Sequence, residues 1–181
     1  MTGVIGVLLA GGLARRMGGG DKGLSMLGGR SMLARIIERA RPQVSTLIIN
    51  ANGDGGRFAD YGLDVVPDVI GDFAGPLAGV LTGLEWTAEH APETEWVATF
   101  ATDAPFVPAD LVDRLLAALK RDNAEMACAA SNGRTHPVFG LWPVALAGDL
   151  RRAMEEEDMR KIDRWTARYK LIEVDFSALP F

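Results

Sequence analysis

The chain alternates short apolar runs with longer segments in which apolar residues return every three or four positions. A short run bounded by Gly, Pro or Asn is typical of a buried strand, and the longer repeat is typical of a helix with one packed face. The pattern predicts strands at residues 4–10, 46–50, 63–66, 96–101, 125–130, 138–142 and 171–174.

Helices are predicted between most of these strands. Ser31 has the side chain of a helix N-cap, and Pro76 and Pro108 each suit the start of a helix. The predicted helices cover residues 31–40, 76–89, 146–156, 162–168 and a segment that begins at residue 108.

Strands that alternate with helices predict an α/β protein. The expected fold is a three-layer, Rossmann-like arrangement with a mostly parallel sheet and helices on both faces. An Asn132-Gly133 pair between two predicted strands adds one antiparallel hairpin. Ligands of such sheets bind at the carboxyl ends of the strands, so polar residues at those ends are candidates for a site.

Three predicted strands lead into the polar residues Asn50, Asp68 and Asp103. Asn50 can donate and accept hydrogen bonds at once, which suits a base or a ribose. A carboxylate at Asp103, just past a buried strand, is costly unless a cation or a hydrogen bond compensates it. Each residue also has a structural alternative, because Asn50 and Asp68 can close turns and Asp103 can cap a helix or bond a loop.

The segment after the first strand combines glycines with basic side chains. Gly11 and Gly12 carry no Cβ, so backbone N–H groups there can approach a phosphate chain closely. Arg15, Arg16 and Lys22 can neutralise that chain. The segment therefore predicts a site for a nucleoside triphosphate.

Two common phosphate loops do not fit this segment. Lys22 is followed by a glycine rather than by the Ser or Thr that a P-loop requires. The dinucleotide fingerprint Gly-x-Gly-x-x-Gly is also absent. The residues alone leave open which reaction the loop serves.

Composition narrows the class of ligand. The net charge of −5 argues against nucleic acid or an anionic membrane as a partner. Residues 1–41 nevertheless hold seven basic and two acidic residues, which favours a small anionic ligand. The alternative is that Arg35, Arg39 and Arg41 only solvate a helix face. With one cysteine, Cys128, and no apolar run that approaches the roughly 20 residues of a membrane span, we expect a cytoplasmic protein.

Several motifs resemble one known family. Leu9-Ala10-Gly11-Gly12, Arg15-Arg16-Met17-Gly18 and Asp21-Lys22-Gly23 together resemble the signature of bacterial molybdenum cofactor guanylyltransferases, which belong to the sugar-nucleotidyltransferase-like group. The likeness covers about residues 4–142 and continues at residues 49–52, 68, 75–79, 102–106 and 136–137.

The resemblance implies one nucleotidyltransferase domain over residues 1–181, with the nucleotide bound by about residues 1–105 and the acceptor by about residues 106–181. The implied reaction joins GMP from GTP to the terminal phosphate of Mo-molybdopterin and releases pyrophosphate. Other molybdenum cofactor biosynthesis proteins and molybdoenzyme acceptors are the expected protein partners. Neither nucleic acid nor a membrane is expected.

The resemblance also implies roles for individual residues. Asp103 is the expected ligand of Mg²⁺, with Mn²⁺ as an alternative. Arg16, Lys22 and Asp103 are the expected catalytic residues. The expected nucleotide contacts are Leu9, Ala10, Gly11, Gly12, Lys22, Asn50, Asp68 and Asp103.

Three alternatives stay open at this point: the related cytidylyltransferase, another small-molecule nucleotidyltransferase, and a GTP-binding module without turnover. His136 is open between a structural role and contact with the pterin, and Cys128 is expected in the core. Family members continue past the last strand into an Asn-Thr-Pro segment and a final helix, whereas this sequence ends at Phe181. Either it is a natural short form or it lacks a terminal segment.

Overall fold

The computed structural model of the chain describes residues 3–11, 22–71 and 75–177. Its strands are β1 (Val4–Leu9), β2 (Met26–Leu27), β3 (Arg30–Ser31), β4 (Thr46–Asn50), β5 (Val65–Val66), β6 (Trp96–Ala101), β7 (Met126–Ser131), β8 (Arg134–Pro143) and β9 (Leu171–Asp175). Its α-helices are α1 (Met32–Ala40), α2 (Pro76–His90), α3 (Leu111–Asp122), α4 (Ala147–Glu156) and α5 (Ile162–Thr166).

Seven of these strands form one sheet in the order β5-β4-β1-β6-β8-β7-β9. The strand β1 pairs in parallel with β4 and β6, whereas β8 runs antiparallel to β6 and β7. The register aligns Leu9 with Asn50 and with Ala101, so three neighbouring strands end at the same level. The mostly parallel sheet confirms the predicted architecture, and so does the hairpin that Asn132 and Gly133 close with positive φ angles.

Helices pack on both faces of the sheet. Leu33 and Ile36 of α1 share one apolar cluster with Leu111 and Leu115 of α3. The apolar residues of α2, α4 and α5 form a second cluster on the other face. Helix α1 begins where the sequence predicts, because the Ser31 hydroxyl accepts a hydrogen bond of 3.1 Å from the backbone N–H of Ala34.

Some elements differ from the prediction. The strand β8 begins at Arg134, four residues earlier than the apolar run that starts at Val138. The part of β8 that the pattern does not predict, residues 134–137, is polar and contains a proline. It pairs with β7 beyond a register shift at Cys128 and Ala129. The short β2–β3 hairpin and the 3-10 helix Gly55–Tyr61 are not predicted, because neither carries a periodic apolar pattern.

A bilayer span is not found in the part of the chain that the structure describes. None of the helices there is both long enough and apolar enough to cross a membrane.

Candidate active site

A cavity of about 300 Å³ opens at the carboxyl ends of β1, β4 and β6. The chain leaves β1 for α1 on one face and enters β6 from α2 on the other face, so the connections diverge between β1 and β6. Ligands of open α/β sheets bind outside the carboxyl ends at such a point. The cavity is lined by Leu9, Ala10, Gly11, Lys22, Gly23, Leu33, Asn50, Phe58, Gly75, Pro76, Ala101, Thr102, Asp103 and Val138.

The end of β1 is held by its neighbours on both sides. The backbone N–H of Ala10 donates to the Asn50 carbonyl at 2.9 Å, and the Thr102 hydroxyl donates to the Leu9 carbonyl at 3.2 Å. A Cβ on Gly11 would lie 3.3 Å from Asn50 Oδ1, so a side chain at this position would crowd the Asn50 amide. The glycine therefore permits the chain to pass close to Asn50, and its approach to a phosphate chain stays a prediction.

Asn50 is buried, with 2% of its surface exposed, and its amide has a defined orientation. The Nδ2 group donates to Asp68 Oδ1 at 2.9 Å and to the Val66 carbonyl at 3.2 Å. A flipped amide would place Oδ1 against both of these acceptors, so the two hydrogen bonds fix Oδ1 on the other side. Asn50 consequently offers an acceptor to the cavity. The expectation that it both donates and accepts toward a ligand is wrong, because Asp68 and Val66 already accept from both amide hydrogens.

Asp68 is held by a second asparagine. Its Oδ2 accepts from Asn52 Nδ2 at 2.9 Å, and its backbone N–H donates to Asn52 Oδ1 at 2.8 Å. The turn after β4 is therefore closed by Asn52 and Asp68, and Asn50 instead points toward the cavity. Each carboxylate oxygen of Asp68 keeps a further lone pair, so contact with a ligand is compatible with this network.

Asp103 follows β6, and its side chain is exposed at the cavity. Asp103 therefore does not pay the cost of burial that the sequence led us to expect, because β6 ends at Ala101 and Asp103 already reaches solvent. Within the described residues the Asp103 carboxylate accepts no hydrogen bond and forms no ion pair. Its oxygens are available to a ligand or to a cation.

The donor set fits a hard divalent cation. A group of three or more His, Cys, Asp and Glu side chains suited to a metal is not found in the described residues. Mg²⁺ does not need one, because it usually takes one or two carboxylates and completes its shell with phosphate oxygens and water. The carboxylate of Asp103 is thus sufficient on the protein side when a nucleotide supplies phosphate.

Lys22 begins a 3-10 helix, Lys22–Leu24, at the rim of the cavity. The next residue, Gly23, is buried, and a Cβ there would lie 3.3 Å from Thr102 Cβ. This close packing brings the segment that carries Lys22 against the end of β6. The structure therefore brings Lys22 into the same cavity as Asp103.

The remaining residues of the predicted loop are not described by the structure. Gly12, Arg15, Arg16 and the glycines at 18–20 lie outside the described residues. The roles predicted for Gly12 and Arg16 therefore stay predictions.

Several cavity residues carry no signal in the sequence. Leu33 and Phe58 are buried apolar side chains that also belong to the core cluster. Val138 belongs to β8, and its apolar side chain fits the strand pattern without indicating a site. Thr102 and Pro76 differ from these residues, because both lie in segments of the family resemblance, although neither is a predicted site residue.

A second cavity, of about 740 Å³, adjoins the first and shares Pro76 and Val138 with it. It lies between β8, β9 and α5, and two basic residues, Arg160 and Lys161, form part of its wall. Its other lining residues are Thr135, Pro137, Ile162, Asp163, Thr166, Ala167, Tyr169, Leu171 and Glu173.

The other residues considered in the sequence lie outside the two cavities and contact the surrounding protein. His136 Nε2 lies 2.6 Å from the hydroxyl oxygen of Ser131, across the β7–β8 hairpin. Cys128 is buried, and burial raises the pKa of its thiol to about 12. A thiol with so high a pKa is a poor nucleophile at neutral pH. The burial of Cys128 confirms the expected position in the core. The guanidinium group of Arg35 donates hydrogen bonds to the backbone carbonyls of Leu27 and Gly28. Arg35 therefore does more than solvate α1.

Comparison with known proteins agrees with this geometry. Residues 6–171 match the family described as the MobA-like NTP transferase domain. This match covers most of the chain, so the chain is a nucleotidyltransferase.

The relatives narrow the class further. A molybdenum cofactor guanylyltransferase of Bradyrhizobium sp. (strain ORS 278) is 55% identical over 179 residues, which cover 99% of this chain and 84% of the relative. The chain belongs to the family of molybdenum cofactor guanylyltransferases.

Solved structures share the fold. Molybdopterin-guanine dinucleotide biosynthesis protein A from Archaeoglobus fulgidus superposes with a TM-score of 0.72 at 19% identity, over 94% of this chain and 83% of that one. A Mycobacterium tuberculosis protein crystallised in complex with manganese has a TM-score of 0.69 at 18% identity, over 97% and 89% of the two chains. At these identities the likeness concerns the fold alone.

Proposed function

We propose that the first cavity binds GTP, and that the chain transfers GMP from GTP to the terminal phosphate of Mo-molybdopterin with release of pyrophosphate. The observation that carries this proposal is the cavity itself. It combines an oriented acceptor at Asn50, a cation at Lys22 and an exposed carboxylate at Asp103 where β1 and β6 diverge.

The nucleoside contacts follow from the donors and acceptors present. Guanine presents ring N–H and 2-amino donors, which match the fixed acceptor Oδ1 of Asn50. Asp68 binds the base or the ribose through its remaining lone pairs. The glycines at positions 11 and 12, with the backbone of Leu9 and Ala10, let the nucleotide approach the end of β1.

The transfer itself is a phosphoryl displacement. An oxygen of the acceptor phosphate attacks the α-phosphorus of GTP, the new O–P bond forms, and the bond between the α-phosphorus and the bridging oxygen to the β-phosphate breaks. Pyrophosphate leaves with that electron pair. Because the attacking oxygen already carries negative charge, the chain needs no strong general base.

Positioning and charge neutralisation then remain as the tasks of the chain. Lys22 neutralises the β- and γ-phosphates, and Arg16 assists there as the family resemblance implies. Asp103 would hold Mg²⁺, and Mn²⁺ would suit the same oxygen donors. The chemistry that such a cation would supply at Asp103 is positive charge beside the phosphates, which would offset the charge on the leaving group.

The second cavity is the proposed acceptor site. Lys161 and Arg160 would meet the phosphate of the acceptor, although Arg160 also pairs with Asp158 at 2.8 Å. Pro76 and Val138 line both cavities, so the two cavities adjoin, as a transfer between their ligands requires. This arrangement supports the division into a nucleotide part, about residues 1–105, and an acceptor part, about residues 106–181, within one domain.

Pyrophosphate release in the presence of GTP, Mg²⁺ and Mo-molybdopterin tests the catalytic assignment. We expect Asp103→Ala to lose activity by at least about 100-fold, as the loss of a metal ligand implies. Asp110→Ala is the matched control, because Asp110 is also exposed and its side chain makes no capping hydrogen bond to α3. Full turnover by Asp103→Ala would contradict the assignment.

Calorimetry with GTP, CTP and ATP tests the choice of base. GTP should bind most tightly, and a preference for CTP would favour the cytidylyltransferase alternative. GTP binding without pyrophosphate release in the complete assay would favour a module without turnover. A reaction that consumes GTP fits the cytoplasmic location expected from the sequence.

A further inference from the structure

Gly79 lies in the first turns of α2, directly against two residues of the nucleotide cavity. A Cβ at this position would stand 2.6 Å from Asn50 Oδ1 and 2.6 Å from Leu9 Cδ2. Cβ atoms do not approach other heavy atoms that closely, so a side chain here would force Asn50 and Leu9 to move. Gly79 itself does not line the cavity.

Asn50 cannot yield to such a side chain without losing its orientation. Its amide is fixed by the hydrogen bonds to Asp68 and to the Val66 carbonyl, and it is almost fully buried. Moving Oδ1 away from α2 would turn the amide plane and lengthen one or both of these hydrogen bonds. The absent side chain of Gly79 thus keeps the acceptor oxygen in its place.

We infer that Gly79 is a positioning residue for base recognition: it sets Asn50 Oδ1 where the oxygen accepts from the 2-amino group of guanine. This inference rests on the proposed function, in which the first cavity binds GTP. Gly79 acts through Asn50 and touches no substrate. It determines specificity because adenine and cytosine carry no amino group at the equivalent position.

Gly83 supplies a matched control one turn further along α2. A Cβ on Gly83 would also stand 2.6 Å from another side chain, but its neighbours are Val7 and Val97 in the core. Neither valine lines the cavity. Alanine at either position therefore costs packing energy, and only alanine at Gly79 displaces a residue of the site.

The experiment compares dissociation constants of GTP and ITP by calorimetry, because ITP lacks only the 2-amino group. Wild-type protein should bind GTP about threefold to tenfold more tightly than ITP, the effect of one hydrogen bond. Gly79→Ala should bring the ratio close to one, and Gly83→Ala should keep the wild-type ratio. A merely structural role would lower the melting temperature of both variants and leave both ratios unchanged.

Asn50→Ala provides the background that tests whether the effect passes through Asn50. In that background, Gly79→Ala should cause no further change in the ratio, because the oxygen that it displaces is gone. If Gly79→Ala alone is too unstable for calorimetry, its melting temperature is compared with that of the double variant Gly79→Ala, Asn50→Ala. Shortening Asn50 should then recover part of the lost stability, and no recovery would overturn the inference.

The possible failures are distinguishable. A wild-type protein that does not bind GTP would overturn the proposed function and this inference with it. A wild-type protein that prefers GTP to ITP, combined with an unchanged ratio in Gly79→Ala, would overturn this inference alone.

Discussion

The side-chain amide of Asn50 donates to the carboxylate of Asp68 across 2.9 Å, and this hydrogen bond joins the end of β4 to the segment after β5. It settles which end of the amide faces the cavity. A carboxylate accepts only, so the amide nitrogen must face Asp68, and the oxygen lies on the other side of the amide beside Gly11, a residue of the cavity wall. Asn50, the residue proposed to contact the base, is therefore oriented by a charged neighbour.

Asp68→Asn should weaken this orientation. Asparagine has one acceptor oxygen, so one of the two amides at Asn50 and Asn52 would face an NH₂ group. We expect GTP to bind about threefold to tenfold more weakly and the free energy of unfolding to fall by about 1 kcal/mol. Calorimetry and urea unfolding measure the two effects. Asp64→Asn, at an exposed site just before β5, is the control, and unchanged GTP affinity in Asp68→Asn would refute the expected role.

Lys22→Ala should separate phosphate binding from nucleoside binding. A charge-assisted hydrogen bond to phosphate contributes about 1.5 to 3 kcal/mol, so the affinity for GTP should fall by about tenfold to 100-fold. The affinity for guanosine should change little. Equal losses for GTP and guanosine would show that Lys22 contacts something other than phosphate. Lys120→Ala, at an exposed position of α3, should leave both affinities unchanged.

Thr102→Val should loosen the junction between β1 and β6. Valine keeps the shape of the side chain but removes the hydroxyl that donates to the Leu9 carbonyl at 3.2 Å. The free energy of unfolding should fall by about 1 kcal/mol, and pyrophosphate release should slow because Asp103 is the next residue. Thr46→Val, at the exposed start of β4, should not slow the reaction. Unaltered turnover and stability in Thr102→Val would show that this hydrogen bond neither stabilises the junction of β1 and β6 nor positions Asp103.

Cys128 should contribute to a loss of stability at alkaline pH. Burial raises the pKa of its thiol to about 12 in the folded chain, whereas an exposed thiol has a pKa of about 8.5. The folded state keeps the proton where the unfolded chain releases it. The contribution is therefore fully present below about pH 8.5 and is lost as the pH rises toward 12.

Urea unfolding at pH 8 and pH 10 measures this contribution in the wild type and in Cys128→Ala. Between these two pH values, the wild type should lose roughly 1 to 2 kcal/mol more than the variant. Tyr169, whose pKa is also raised to about 12, is present in both proteins and cancels in the comparison. Parallel pH dependences in the two proteins would rule out a buried, titrating thiol.

Sequence patterns predicted the central strands best. The bounds 46–50 and 96–101 agree with β4 and β6, because both are mostly buried apolar runs, the first ending at Asn50 and the second followed by Thr102 and Asp103. The first half of β8 was missed, since its polar residues and Pro137 do not resemble a strand. That half is ordered by pairing with β7, which is a long-range contact.

The site was predictable in its parts but not in its geometry. Strand ends in a parallel sheet meet at one edge, so the sequence could bring Asn50 and Asp103 to the same cavity. It could not reveal that Asp68 occupies the donors of Asn50, because this depends on tertiary packing. Nor could it reveal Phe58 as part of the wall, since a buried aromatic residue has the same pattern in any core.

The turn at Asn132 and Gly133 makes the wall of the second cavity adjustable. It is a two-residue turn at the same edge of the sheet as the cavities, and Thr135, just beyond it, already lines the second cavity. A longer turn would add residues to the lining of that cavity and would leave β1, β4 and β6 undisturbed. Natural or engineered variation in its length is thus a route by which one nucleotide-transferring core can be refitted to acceptors of different size.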